Sequence, residues 1–495
     1  MCNFFLMYLS TIYLLFNSAN GFILDNPWWK NASIRADYKA MEARSYMDFF
    51  FGLVKNLRVH RSIILMGPRR VGKTVMLYHT IQRLIDAEGI EPKNIIYISV
   101  DTPIYNGIML EELMNAAFVS SGKAYTPEEQ YYVFFDEVQY LKHWEVSMKT
   151  LVDAYPNVRF VASGSAAAAL KKSSIESGAG RFTDFSLPPL TFYEYVRLRH
   201  CEELLRESQL TWNGNIVHSF EPKDPERLNE VFLDYINYGG YPEVAFNKEL
   251  QNDPGQYIRH DIIDKVLLRD LPSLYGISDV QELNSFFAMI AFHSGGEFSY
   301  ESLAQNTGVK KETLRKYLEY FEAAFLLKKI NRMDNTAKRY QRDHYFKLYL
   351  TNPSLRCALF LPITMQDDEI GTMAETAVFA QWMPRLDANI GYASWREGRK
   401  AMGEVDIVGV NPTRQRPDWA VELKWTDRFY DNPNELKSLR SFMETNGLTQ
   451  ALVTTLTQRG LMSLGWGNLH FMPTACYAYI VGRNTLFRTK DEMGL

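Results

Sequence analysis

Apolar residues in the first part of this chain fall into short, nearly continuous runs separated by longer stretches of helical period. The runs are SIILMG at 62–67, NIIYISV at 94–100, YYVFFDE at 131–137 and VRFVAS at 158–163, with a fifth, FTDFSL, at 182–187. Strands covered on both faces lose the in-and-out alternation of a half-exposed sheet, so such runs alternating with helices predict a parallel α/β sheet. The pattern then changes. Leu204 to about Leu283 reads as mainly helical, broken at Gly239 and Gly240. Phe298 to Ile330 has the layout of a helix-turn-helix. A short helix covers Tyr300 to Gln305, a turn covers Thr307 to Val309, and a second helix starts at Lys311 with Leu314, Leu318, Phe321 and Phe325 on one face. A helix at Gly371 to Trp382, followed by strand-like runs at 391–396, 404–410 and 419–425, predicts a separate α+β domain.

At 495 residues the chain is long enough for about three domains. Hydrophobic residues make up 46% and charged residues 23%, which is ordinary for globular proteins and excludes disorder for most of the chain. A formal net charge of -4 gives no global cationic field, so contact with nucleic acid or membrane has to be local. Cys2, Cys201, Cys357 and Cys476 are scattered, against both a zinc site and a disulfide framework, and fit a reducing cytoplasm. Phe4 to Phe16 is almost entirely apolar but lacks a basic start and is short for a membrane span. It is open to three readings: a misassigned start or disordered leader, a packed helix, or a membrane signal. The chain is read as cytoplasmic, without a membrane partner.

The sequence GPRRVGKT matches G-x-x-x-x-G-K-[ST] and lies between an apolar strand and a helix, as a phosphate-binding loop must. Gly67, Pro68, Arg69, Arg70, Val71, Gly72, Lys73 and Thr74 are therefore expected to wrap the phosphates of ATP. The glycines let the backbone curl so that its N–H groups face the anion at a helix start. Lys73 is placed to reach the β and γ phosphates, and Thr74 to hold Mg²⁺. The run YYVFFDE ends in two acids: Asp136 is expected to bind the same Mg²⁺, and Glu137 to orient and deprotonate the attacking water. Ser163 and Ser165 are read as γ-phosphate sensors on a strand between the two. Arg181 is either an arginine finger, acting within the chain or on a neighbouring subunit of a homo-oligomer, or a surface salt-bridge residue.

NPWWKN near residue 26, GPRRVGKT, FFDEVQ, ASGSAAAAL, GAGR with LPPLTFYEY, and GGYPEV at 239–244 together resemble a prokaryotic AAA-type P-loop ATPase family. The resemblance covers nearly the whole chain after about residue 24. Its members carry a carboxyl-terminal domain of unknown function, similar to a winged helix followed by a restriction-endonuclease-like fold. The expected division is a leader or misassigned start over 1–34, read from the apolar amino terminus, and then, as the resemblance implies, an ATPase domain over 35–200, a helical connection over 201–285, a winged helix over 286–350 and a nuclease-like domain over 365–490.

Lys310, Lys311, Arg315 and Lys316 fall on the second helix of the helix-turn-helix, and residues 328–347 hold seven Lys or Arg against two Asp. Such a cluster in an acidic protein is what contact with DNA phosphates requires. The competing reading is a packing module with a solvated face, for which Glu312, Glu319 and Glu322 speak. In the last domain, EVDIV puts Asp406 on a strand and VELKW puts Glu422 and Lys424 on one face of the next. This resembles the D…(D/E)xK core of PD-(D/E)XK nucleases, in which two carboxylates hold Mg²⁺ and the lysine positions water or phosphate. Glu375, on the preceding helix, matches an acid that such folds often add. The usual proline before the aspartate is replaced by Val405.

The resulting expectation is an ATPase whose nucleotide cycle controls a DNA-binding, DNA-cleaving carboxyl-terminal half. Its rival is an ATP-dependent switch for a protein partner, with an inactive nuclease-like platform.

Overall fold

The computed structural model describes residues 21–105, 107–165, 180–212, 214–336, 345–383, 389–397, 400–411 and 413–493. Two compact units divide between Leu187 and Pro188, the second running to Thr489.

In the first unit, β1 (Ser62–Met66), β2 (Ile95–Ser99), β3 (Tyr131–Asp136), β4 (Val158–Gly164) and β5 (Phe182–Ser186) form one sheet in the order β2-β3-β4-β1-β5. Every pairing is parallel. The inner strands β1, β3 and β4 are buried along their whole length, which is why they read as unbroken apolar runs. The loop after β1 lies at the carboxyl edge of the sheet, and α1 (Lys73–Asp86) starts from it.

The packed part of this unit begins before residue 35. Asn26 exchanges hydrogen bonds with the Tyr97 backbone at 2.7 and 2.9 Å, and the Trp28 and Trp29 indoles both donate to the Ile95 carbonyl. These side chains satisfy backbone groups that β2, an edge strand, would otherwise leave unpaired. The apolar run Phe4–Phe16 lies outside the described residues.

In the second unit the segment expected to be helical opens instead with a hairpin, β6 (Leu205–Trp212) and β7 (Asn215–Pro222). Gly214, at φ 77°, turns the chain; the Asn-Gly pair in TWNGN was the signal for it. The helices α2 (Pro225–Tyr238), Gly255–Asp270 and Val280–Phe292 follow. Next come β8 (Glu297–Ser299), α3 (Tyr300–Thr307), α4 (Lys311–Ala323), β9 (Leu327–Met333) and β10 (Tyr345–Leu350). Leu314, Leu318 and Phe321 are buried as the period required. Phe325 is not on that face: α4 stops before it, it takes φ 56°, and Leu326 fills the core position.

The chain continues through α5 (Ile370–Trp382), β11 (Ile390–Glu397), β12 (Lys400–Val410), β13 (Pro417–Glu422), α6 (Lys437–Asn446), β14 (Gln450–Thr455), β15 (Gly460–Leu464), β16 (Gly467–Pro473) and α7 (Thr474–Met493). Strands expected of two separate domains share one nine-stranded sheet, β15-β16-β14-β13-β12-β11-β9-β10-β8. The join is the parallel pair β9–β11, where Tyr392 faces Arg332 and Ala393 faces Met333. Gly391 makes the approach possible, since a Cβ there would stand 2.5 Å from Met333 Cε and 2.9 Å from the Asn331 carbonyl. Ile330, Tyr349, Phe379, Tyr392 and Ile407 then belong to one core.

Candidate functional site

Within the first unit the loop 67–74 has the geometry its glycines require. A Cβ on Gly67 would come 2.3 Å from the Leu187 carbonyl, and Gly72 opens α1 at φ 94°. Arg70 also adopts a left-handed backbone, φ 64°, which costs a residue with a side chain about 1 kcal/mol or more and persists only where the surroundings impose it. Arg44 donates to the Val71 carbonyl at 2.6 Å, bracing the loop from a residue that the sequence reading did not single out. Lys73 is buried, with Nζ donating to the Gly67 and Pro68 carbonyls at 3.0 and 2.9 Å.

Asp136 stands at the end of β3, two strands from β1, and Thr74 Oγ1 donates to its Oδ2 at 2.7 Å. Tyr97 OH donates to the same oxygen at 2.7 Å, and Ser163 Oγ donates to Oδ1. Burial pushes the Asp136 carboxyl above the usual range, with the neighbouring Glu137 adding to the shift, while these three hydroxyls oppose it. Glu137 takes a left-handed conformation, φ 59°, and its backbone N–H donates to Ser163 Oγ at 3.2 Å. Its carboxylate accepts from Gln139 Nε2 and from Ser165 Oγ.

Both serines contact the acid pair directly. Ser163 is fully buried and its hydroxyl lies between Asp136 and the Glu137 amide, so it orders the acid pair. Ser165 acts on the Glu137 side chain in the same way. The sequence reading gives neither Tyr97 nor Gln139 a role: Gln139 stands in FFDEVQ but only as part of the family resemblance, and Tyr97 is identifiable only once β2 is known to lie beside β3.

The Arg181 expectation needs correcting. This residue precedes the amino end of β5, where Ser62 pairs with Phe182, and the loop follows the carboxyl end of β1. Six residues of strand separate the two levels, roughly 20 Å at about 3.3 Å per residue, so Arg181 cannot act as a finger within its own chain. In this chain it pairs with Asp153, its Nε 2.7 Å from Asp153 Oδ1, and the reading as a finger supplied to a neighbouring subunit is untouched by this geometry.

A cavity of about 270 Å³ opens beside the loop, walled by Thr74, Asp136, Glu137, Arg69, Tyr140 and residues of the segment 25–38. Arg69 donates to Tyr140 OH at 2.8 Å, linking the loop to the turn after β3. Asp25 in the same wall is pushed up to about 6 by burial first and by Asp101 second.

In the second unit the four residues expected together are together. Asp406 and Glu422 stand on adjacent antiparallel strands, and both are buried. Three oxygens converge on Lys424 Nζ: Glu422 Oε1 at 2.7 Å, the Leu423 carbonyl at 3.1 Å and Asp406 Oδ2 at 3.4 Å. The Leu423 N–H donates to Asp406 Oδ2 at 2.7 Å, locking that carboxylate to β13. Glu422 Oε2 is buried without a hydrogen-bond partner. Burial, then Asp406, push the Glu422 carboxyl up to about 8. Burial also raises Glu375, which accepts from Tyr349 OH at 2.5 Å and pairs with Lys347 at 3.2 Å. Lys347 was counted in the sequence only as part of a basic run; its side chain is 6% exposed and sits 2.7 Å from Glu404.

On α4, Arg315 and Lys316 are exposed; Lys311 pairs with Glu301 at 2.6 Å, and Arg315 lies over the Tyr300 ring. Lys338, Arg339 and Arg342 of the basic run lie outside the described residues. Among the described residues no three His, Cys, Asp or Glu side chains are grouped closely enough to hold a metal by themselves, and no helix is long and apolar enough to cross a membrane.

Residues 59–196 match the model of a family described as an AAA domain, and residues 229–367 that of a domain of unknown function, DUF8612. An uncharacterized protein of Methanocaldococcus jannaschii is 27% identical over 367 residues, covering 72% of this chain and 74% of its own length. An uncharacterized protein of Haemophilus influenzae is 24% identical over 298 residues, covering 59% of this chain and 68% of its own. The ORC2 protein of Aeropyrum pernix, 15% identical, aligns over 66% of this chain and 93% of its own at a TM-score of 0.36. A Walker-type ATPase of Pyrococcus abyssi, 13% identical, aligns over 66% and 97% at 0.35. The family match and the loop geometry together support an AAA-type P-loop ATPase fold for residues 59–196.

Proposed function

We propose that the chain hydrolyses ATP in its first unit and, under control of that cycle, cleaves DNA at a divalent cation in its second. For the ATPase step the supporting observation is the shared contact of Thr74, Asp136 and Glu137 with one cavity beside the loop. Thr74 and Asp136 fit Mg²⁺, which would neutralise phosphate charge. Lys73 binds the β and γ phosphates, and Gly67 to Gly72 present backbone N–H groups. Glu137, aimed by Gln139 and Ser165, orients the attacking water and accepts its proton.

For the second unit, the observation that carries the reading is the convergence of Asp406, Glu422 and the Leu423 carbonyl on one point, now held by the Lys424 ammonium. Three oxygens around a cation are a hard-ion donor set, and the unpartnered Glu422 Oε2 adds a fourth. Asp406, Glu422 and the Leu423 carbonyl would hold a divalent ion, which would supply Lewis-acid activation of water. Lys424, which now pairs with both carboxylates, would then pair with the scissile phosphate, and Glu375 would complete the acidic wall. Exposed Arg315 and Lys316 on α4 suit contact with DNA phosphates.

The alternative, an ATP-gated platform for a protein partner, draws support from the same ion pairs, since Lys424 already balances Asp406 and Glu422 without a metal. Incubating the chain with linear, branched and single-stranded DNA in Mg²⁺ or Mn²⁺, with and without ATP, separates the two. Cleavage that vanishes in Asp406→Asn and changes in Lys73→Ala supports the proposal; no cleavage of any substrate favours the platform.

A further inference from the structure

The carboxylate cluster of the second unit contains two lysines of different standing. Lys424 lies two residues past the end of β13, a quarter exposed, with its Nζ on Asp406 and Glu422. Lys347 belongs to β10, outside the D…ExK pattern. Its side chain is 6% exposed, and its Nζ lies 3.2 Å from Glu375 Oε1 and 2.7 Å from Glu404 Oε1. Ions of a two-metal phosphodiester site stand about 3.5–4 Å apart and share a bridging carboxylate. A second ion beside Asp406 would draw its outer ligands from Glu375 and Glu404, where the Lys347 ammonium already lies.

We propose that Lys347 is a fixed internal cation taking the place of a second metal, so that the site built on Asp406 and Glu422 is a one-metal centre. The inference rests on the metal-site reading above and specifies its stoichiometry. Glu422 Oε2, buried and without a partner, is the donor still open, on the carboxylate whose Oε1 lies 2.7 Å from Lys424 Nζ. A bound divalent ion would hold the carboxyls ionised; Glu375, Glu404, Asp406 and Glu422 would then carry four negative charges against two positive ones on Lys347 and Lys424, and one ion would balance the remainder. Lys347 is thus a positioning residue, holding Glu375 in place and denying its oxygens to a metal.

The test is Mn²⁺ stoichiometry on the full chain without nucleotide, read by the loss of the free-ion electron paramagnetic resonance signal. Wild type should bind one ion more per chain than Asp406→Asn. Lys347→Ala, with an unchanged near-ultraviolet circular dichroism spectrum, should gain a second. A difference of two ions between wild type and Asp406→Asn overturns the one-metal assignment, as does a folded Lys347→Ala that still binds one. No difference between wild type and Asp406→Asn, at any Mn²⁺ concentration that leaves the protein soluble, removes the metal site itself and this inference with it. Because the wild-type comparison needs no change at Lys347, an unfolded Lys347→Ala leaves the test intact.

Discussion

Thr74 Oγ1 donates to Asp136 Oδ2 at 2.7 Å, joining the last residue of the phosphate loop to a carboxylate 62 positions later in the chain. Parallel strand order makes the bond possible, since β1 and β3 both end at the carboxyl edge with only β4 between them. Asp136→Asn keeps the shape but removes the charge. Its Mg²⁺-dependent gain in ATP affinity, measured by calorimetry with and without the ion, should disappear while metal-free nucleotide binding persists. An unchanged Mg²⁺ dependence would move the metal elsewhere.

Glu137 is held by Gln139 and Ser165 with its backbone in a left-handed conformation. Glu137→Gln should bind ATP as wild type does and hydrolyse it roughly 10² to 10⁴-fold more slowly, the usual worth of a positioned base. Ser165→Ala, which loosens the side chain but keeps the base, should lower turnover by less than Glu137→Gln. Single-turnover phosphate release checks both, and wild-type turnover in Glu137→Gln would take the residue out of the mechanism.

Lys311, Arg315 and Lys316 carry the basic face of α4, with Lys311 paired to Glu301 and Arg315 over Tyr300. Replacing all three with Glu should weaken DNA binding and flatten its dependence on salt, because fewer counterions are released. Basal ATP hydrolysis should persist. The same affinity and salt slope in the variant would make this helix a packing element.

The Glu422 carboxyl is pushed from its ordinary 4.5 up to about 8, by burial first and Asp406 second. The unfolded chain loses this proton near the lower value and the folded chain only near the higher. Its contribution to stability is therefore fully present below about pH 4.5 and is lost as pH rises toward 8, by at most roughly 1.4 kcal/mol per pH unit. Glu422→Gln cannot ionise, so in metal-free buffer its melting temperature should exceed that of wild type at pH 9, with the advantage shrinking as pH falls to 4. A melting-temperature difference that does not vary with pH would show that ionisation of Glu422 is not its source.

The phosphate loop, the acids at the end of β3, the five-stranded parallel sheet and the Asp406, Glu422 and Lys424 grouping were all legible in the sequence. Each depends on local constraints: glycine conformations at 67 and 72, full burial of inner strands, or a two-residue strand period. Such constraints act within a few residues and leave their mark on a short window of chain. What the tertiary structure alone decided depends on which strands become neighbours. Ser163 and Tyr97 both hydrogen-bond Asp136 because β3 is flanked by β4 and β2. Arg181 moved out of reach because β5 runs parallel to β1 and starts at the far edge. Lys347 entered the carboxylate cluster because β9 pairs with β11, a contact between segments some sixty residues apart that no local pattern encodes. Strand order is set by the packing of the whole core, and so the residues that complete each site were visible only in three dimensions.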